Sequence, residues 1–309
     1  MEAALGYEKE LKSHVERERA AVKLSSKVGE LLYDKGIELV LFRNHLTDVT
    51  ISEILNLHEY ARNVVNKPID VFTSSELAEE ISKMDLAPSK LDIGKLSSEW
   101  LAEHANFSSK AEFLQQKLGG FQTAGNNAIE PRDVVLYGFG RIGRLAAREL
   151  IKQAGKGQQL RLRAIVTRGS SDADIIKRAS LLRNDSVHGA FKGSVIEDLE
   201  NKSLNINGQI VRMIDAKNPE DIDYTAFGIN NALIIDNTGV FTNREALSRH
   251  LQAKGASKVI LTAPGKEIPN IVYGINQGTL DIENENIFSA ASCTTNAISP
   301  ILKVVNDKY

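Results

Sequence analysis

The 309-residue chain is expected to be an α/β protein, a largely parallel sheet with helices on both faces, preceded by an all-helical extension. Three observations predict this. Apolar residues recur at helical spacing up to about Gln122. Beyond Pro131, short β-branched runs alternate with helical stretches. Between the two lies residues 122–131 (QTAGNNAIEP), rich in small and amide side chains, which reads as a linker.

In the extension, Ile51, Ile54, Leu55, His58, Ala61, Arg62 and Val65 fall at helical spacing with the apolar members on one face. Thr73 followed by Glu76 predicts a capping box that opens a helix through Leu77, Ala78 and Ile81. Pro88 interrupts, and a further helix is expected over residues 91–104. Ser109 followed by Glu112 predicts a second box, on a helix through Phe113, Leu114 and Leu118 that Gly119 and Gly120 end. After the linker, residues 134–137 read as a strand and 145–151 as a helix. Strands follow at 162–167, 210–214, 233–236 and 259–262, with 245–254 helical. His188-Gly189 and residues 205–208 suggest an inserted loop or hairpin.

Composition narrows the function classes. Hydrophobic residues make up 42% and charged residues 25%, enough for an ordinary core. A net charge of -2 gives no electrostatic case for nucleic acid as a partner. No apolar run approaches the roughly 18 residues that cross a bilayer, so no membrane partner is expected. The polar start, without a secretory apolar segment, reads as cytoplasmic. The single cysteine, Cys293, excludes an intrachain disulfide. No metal-ligand cluster is expected.

Gly138-Phe139-Gly140-Arg141-Ile142-Gly143 is a GxGxxG motif that follows a strand pattern and precedes a helical one. In that setting Gly138 permits a tight turn, Gly140 lets backbone approach a pyrophosphate, and Gly143 lets helix pack on strand. The helix start offers N–H groups to the phosphates. A Rossmann-type dinucleotide-binding domain is therefore expected. Where an acidic residue usually closes the second strand, this sequence has Thr167 and then Arg168, with Ser170 and Ser171 following. A guanidinium pairs with phosphate oxygens, so Arg168 favours NADP, with NAD left open.

From Tyr137 to Arg144 (YGFGRIGR) the sequence resembles the opening motif of glyceraldehyde-3-phosphate dehydrogenases. Asn184-Asp185-Ser186-Val187-His188-Gly189, Asp236-Asn237-Thr238-Gly239-Val240-Phe241, Thr262-Ala263-Pro264 and Ala290-Ala291-Ser292-Cys293-Thr294-Thr295-Asn296 resemble further segments of that family, in the same order. The extension is similar to that of a long-form bacterial branch. The resemblance implies domains at 1–122 (extension), 123–131 (linker), 132–292 (NAD(P)-binding) and 293–309 (the start of a catalytic domain truncated after the active-site cysteine). It implies a phosphorylating oxidation of glyceraldehyde 3-phosphate, with inorganic phosphate as co-substrate, in glycolysis or gluconeogenesis. Cys293 is then the nucleophile, at a helix start that favours its thiolate. Ser292 and Thr294 meet phosphate groups or cap the helix. Thr238 and Gly239 border the nicotinamide. Arg141 and Ile142 lie against the pyrophosphate and adenosine, with a solvated surface arginine the alternative for Arg141. Tetrameric assembly is implied for the full-length form. The family's catalytic histidine has no counterpart among the six histidines, all of which precede Cys293, so impaired turnover is expected. Erythrose-4-phosphate dehydrogenase and a catalytically incomplete dinucleotide-binding protein are the alternatives.

Overall fold

The computed structural model describes residues 2–121, 130–153 and 159–309. The chain divides into two compact units, Met1–Glu130 and Pro131–Tyr309. The linker expected at 123–131 lies, save for its last two residues, outside the described residues.

The first unit is mainly helical: α1 (Glu2–Lys35), α2 (Ile51–Asn63), α3 (Val71–Lys83), α4 (Ile93–Glu103) and α5 (Lys110–Leu118). Leu24, Val28 and Leu31 of α1 share one core with Ile54 of α2, Leu77 and Ile81 of α3, and Phe113 and Leu114 of α5. Burying each such side chain contributes roughly 1.5–3 kcal/mol. The helical reading holds with one addition, a small sheet ordered β2-β1-β3 from β1 (Glu38–Leu41), β2 (Asn44–His45) and β3 (Lys90–Asp92). The four β1 residues are all buried, a run too short to make a helix but long enough for a covered strand. Because β3 takes residues 90–92, α4 starts two residues later than expected at 91, and Asp92 caps it by accepting from the Lys95 N–H at 3.0 Å.

The caps differ from the sequence expectation in an instructive way. The box expected at Thr73 and Glu76 is not there. Asp70 caps α3, its carboxylate accepting from the Thr73 N–H at 2.8 Å, while Glu76 pairs with Lys110 at 2.7 Å. Asp is the stronger cap, and it sits one turn earlier. Ser109 does cap α5, accepting from the Glu112 N–H at 3.2 Å, but the Glu112 carboxylate accepts from the Ser108 N–H instead of closing the box. A complete capping box stands at α2, where Thr50 and Glu53 exchange bonds of 3.2 and 2.7 Å.

The second unit holds an eight-stranded sheet. Its elements are β4 (Arg132–Tyr137), α6 (Arg141–Gln153), β5 (Leu160–Thr167), α7 (Asp172–Arg183) and the small pair β6 (Asn184–Asp185) and β7 (Gly189–Ala190). Then come β8 (Val195–Asp198), β9 (Ser203–Ile206), β10 (Gln209–Asp215), β11 (Ala232–Asp236), α8 (Arg244–Ser248), β12 (Ala256–Leu261), β13 (Ile287–Ser289) and α9 (Cys293–Lys308). The order is β13-β12-β11-β4-β5-β10-β9-β8. Six strands run parallel, and β8 and β9 extend the sheet as an antiparallel meander. The insertion expected near residues 205–208 is this meander, turning at Asn207 and Gly208, both at positive φ. The helix expected over 245–254 is shorter: α8 gives way to a 3₁₀ turn at Arg249–Gln252.

Alternation decides which side chains reach which face. On β4, Val135 and Tyr137 join one core with Leu247 of α8, and Leu136 joins the other with Ala147 of α6 and Ala179 of α7. On β5 the same alternation needs an adjustment. Val134 pairs with Leu162 but Val135 pairs with Ala164, so Arg163 is bulged out of register. The bulge lets Leu162 and Ala164 enter opposite cores and sends Arg163 to Asp133 at 3.2 Å. The strand order reverses at β4, which has β5 on one side and the later β11 on the other. In parallel α/β sheets a crevice opens beyond the carboxyl ends of the strands at such a point.

Candidate functional site

The crevice is built by two turns, one after β4 and one after β11. Gly138 follows β4 at φ +93°, a left-handed conformation that a side chain resists. A Cβ there would also meet Thr238 Cγ2 at 2.9 Å, so the two turns touch across the switch point. Gly143 sits in the first turn of α6, where a Cβ would lie 2.4 Å from the Gly138 carbonyl oxygen. Gly140 has nothing within 4 Å of the corresponding position, leaving open approach to its backbone. The first-turn N–H groups of a helix have no intrahelical acceptor, so the start of α6 presents donors to this space.

A cavity of about 350 Å³ occupies the crevice, lined by Tyr137, Gly138, Phe139, Gly140, Val166, Thr167, Arg168, Arg178, Ala216, Thr238, Val240 and Phe241. Of the residues expected at a cofactor, Gly138, Gly140, Arg168 and Thr238 line it. Gly143 acts behind the wall by allowing the helix to close on the turn. Gly239 lies in the β11 turn at φ +68° but is not in the lining. Arg141 and Ile142 are not in it either. Arg141 donates to Ser186 Oγ at 3.1 Å and lies 3.5 Å from the Asp185 carboxylate, and Ile142 is exposed. The Asp185 carboxylate is held well below its usual range, chiefly by the Val187 N–H, then by the His188 ring and N–H, with Arg144 adding to it.

Sequence reading missed Arg178 and Ala216 altogether. Phe139, Val240 and Phe241 stood within the quoted motifs as neighbours of the residues chosen. Arg178 comes from α7, and no local pattern marks a helix residue for a distant strand end.

Behind the Thr238 turn lies a fully buried pair. His250 Nε2–H donates to Asp236 Oδ2 at 2.8 Å, and both side chains have no exposure. Asp236 Oδ1 in turn accepts from the Thr238 N–H at 2.8 Å and its hydroxyl at 2.7 Å. The imidazole is held edge-on by Tyr137 at 4.7 Å and Phe241 at 5.5 Å, two rings of the cavity wall. Burial, with the Asp236 charge second, pushes Tyr137 up to about 12, so its hydroxyl keeps its proton.

Cys293 lies on the same edge of the sheet. It follows β13, two strand spacings or about 10 Å from β11. Ala291 takes a left-handed φ of 58°, which turns the chain from strand into helix at a cost of roughly 1–2 kcal/mol. Ser292 caps α9 by accepting from the Thr295 N–H at 2.9 Å, and Asn296 Nδ2 donates to the Ala290 and Ser292 carbonyls at 2.8 and 2.9 Å. Cys293 is thus the first residue of the helix, and its thiol is exposed, as is Thr294. His188 Nδ1 is 3.1 Å from Asp185, and His250 is engaged with Asp236.

Residues 132–244 match the family model for the glyceraldehyde 3-phosphate dehydrogenase NAD-binding domain. The chain is 42% identical over 286 residues to a glyceraldehyde-3-phosphate dehydrogenase-like protein of Pseudomonas aeruginosa, an alignment covering 91% of this chain and 62% of that protein. It is 36% identical over 176 residues to glyceraldehyde-3-phosphate dehydrogenase of Ajellomyces capsulatus, covering 57% of this chain and 48% of the relative. It is 39% identical over 177 residues to glyceraldehyde-3-phosphate dehydrogenase 2 of Trichormus variabilis, covering 57% and 50%. The chain thus spans between about half and three fifths of the length of these relatives.

Proposed function

We propose that this chain supplies the dinucleotide site and the nucleophile of an NAD(P)-dependent oxidation of glyceraldehyde 3-phosphate, a reading supported by the match of residues 132–244 to the glyceraldehyde 3-phosphate dehydrogenase NAD-binding domain model. The observation that carries the reading is the shared edge. The switch-point cavity and the helix-starting Cys293 both lie at the carboxyl ends of parallel strands. Bound in the cavity, a nicotinamide supplies the hydride acceptor. The Cys293 thiolate adds to the aldehyde carbon. Loss of hydride from that carbon leaves a thioester, and inorganic phosphate then attacks the acyl carbon and releases the thiolate. The α9 N-terminus favours both the thiolate and the oxyanion formed on addition. Ser292 holds the helix start in place, and Thr294 is the exposed hydroxyl beside it available to a phosphate group. Thr238 and Gly239 border the nicotinamide end, and Arg168 the adenosine end. The domain limits 132–292 and 293–309, the cytoplasmic setting and homo-oligomeric assembly belong to the same reading.

The test is a single-turnover mixture of the full chain with glyceraldehyde 3-phosphate, inorganic phosphate and NAD or NADP. Reduction of the nicotinamide that disappears in Cys293→Ser, with an acyl adduct on Cys293 by mass spectrometry, is the expected result. Reduction that survives Cys293→Ser overturns the nucleophile assignment. A second reading, dinucleotide binding without efficient turnover, is favoured by the engagement of both histidines of this unit elsewhere. A dehydrogenase thiol without a general base beside it turns over more slowly by a factor of about 10²–10⁴. Tight dinucleotide binding with turnover depressed by that factor supports the second reading.

A further inference from the structure

We infer that Arg178 is a specificity-determining residue of the dinucleotide site, forming with Arg168 a two-guanidinium recess for a phosphate ester on the adenosine ribose. The inference rests on the dinucleotide reading above and narrows it to one class of ligand. In a switch-point crevice the pyrophosphate sits at the glycine turn and the adenosine ribose borders the end of the second strand. Here that strand is β5, and the lining at its end is Thr167, Arg168, Arg178 and, beyond β10, Ala216.

Arg168 and Arg178 are the charged residues of that lining, and no carboxylate is among it. Of the acids around it, Asp174 lies one turn before Arg178 on α7 and is drawn down first by the Ser171 hydroxyl and in part by the Arg178 charge. Asp215 accepts from the Gly169 N–H at 2.8 Å, and Asp174 accepts from the Ser171 hydroxyl at 2.6 Å and its N–H caps on Ser171 at 3.2 Å. Arg178 is placed by α7 and donates through Nη2 to the Arg168 carbonyl at 3.3 Å, which ties it to the strand end. Its Nε is buried without a hydrogen-bond partner among the described residues. A bare ribose diol brings no charge to offset two guanidiniums. A phosphate monoester brings nearly two, with oxygens spaced for bidentate pairing.

The experiment titrates the full chain with NAD, NADP and the fragment 2′-AMP against 5′-AMP, by calorimetry. The unsubstituted protein is expected to bind NADP and 2′-AMP the more tightly. Arg178→Met should weaken both by about tenfold or more while leaving NAD within about twofold, and Arg178→Lys should recover part of the loss. Arg168→Ala should act in the same direction. Equal weakening of NAD and NADP in Arg178→Met makes Arg178 a brace of the Arg168 loop and overturns the inference. So does a preference of the unsubstituted protein for NAD. Failure to bind any dinucleotide overturns the underlying reading as well, which separates the two failures.

Discussion

At the scale of single residues, the tightest constraint set by backbone among the described glycines is at Gly143, whose missing Cβ leaves room for the Gly138 carbonyl oxygen. Backbone cannot rotate away as a side chain can, so Gly143→Ala must move α6 off the glycine turn. Dinucleotide affinity, followed by calorimetric titration, should fall at least tenfold, while Gly140→Ala should leave the melting temperature nearly unchanged because that position opens to space. The Asp236–His250 pair invites a second substitution. In His250→Phe the ring keeps its place between Tyr137 and Phe241 but leaves Asp236 short of a donor in full burial. A loss of about 2 kcal/mol or more is expected in denaturant unfolding, together with weaker dinucleotide binding, because the same carboxylate holds the Thr238 turn. Unchanged affinity in a folded His250→Phe would show that the turn holds itself.

At the scale of elements, helix starts show what local pattern can and cannot reveal. Thr73 and Glu76 have the right spacing for a capping box, yet Asp70 wins because the chain enters α3 one turn earlier. Asp70→Ala should lower the stability of the first unit by about 1 kcal/mol, and Glu76→Ala, which touches only a surface ion pair, by a few tenths at most. Thermal unfolding of the two variants checks the order. The glycine turn and the strands β4, β5, β10, β11 and β12 were legible because their signal is contained within ten residues or so: a buried β-branched run followed by glycine or a helical period. The strand β3 was not, since Lys90-Leu91-Asp92 carries no strand pattern of its own and is paired only because β1 lies beside it. Arg178 was illegible for the same physical reason. Its place in the cavity is set by how α7 lies against the end of β5, and the nine residues between it and Arg168 carry no mark of that.

At the scale of the whole molecule, the two units should respond to acid in different ranges. In the first, burial lowers the pKa of His58, whose Nδ1 donates to the Ile54 carbonyl at 2.8 Å and whose Nε2 meets Ser74 Oγ at 3.0 Å. The unfolded chain then takes up a proton that the folded one refuses, so stability falls as pH drops below about 6.5. In the second, Glu285 is lowered to about 2, first by hydrogen bonding to Arg244. A depressed carboxylate contributes its stability above the unfolded value near 4.5 and loses it as pH falls towards 2. Melting curves between about pH 5.5 and 8 should therefore show a slope that His58→Gln flattens and Arg244→Met does not. The exposed face of α9 has a different consequence. Cys293 is the chain's one cysteine, and its thiol stands in solvent at the start of that helix, on the edge of the sheet that carries the cavity. A thiol-directed fluorophore would attach at a single address without any engineering, giving an optical reporter near the switch-point cavity whose colour and anisotropy register what enters it.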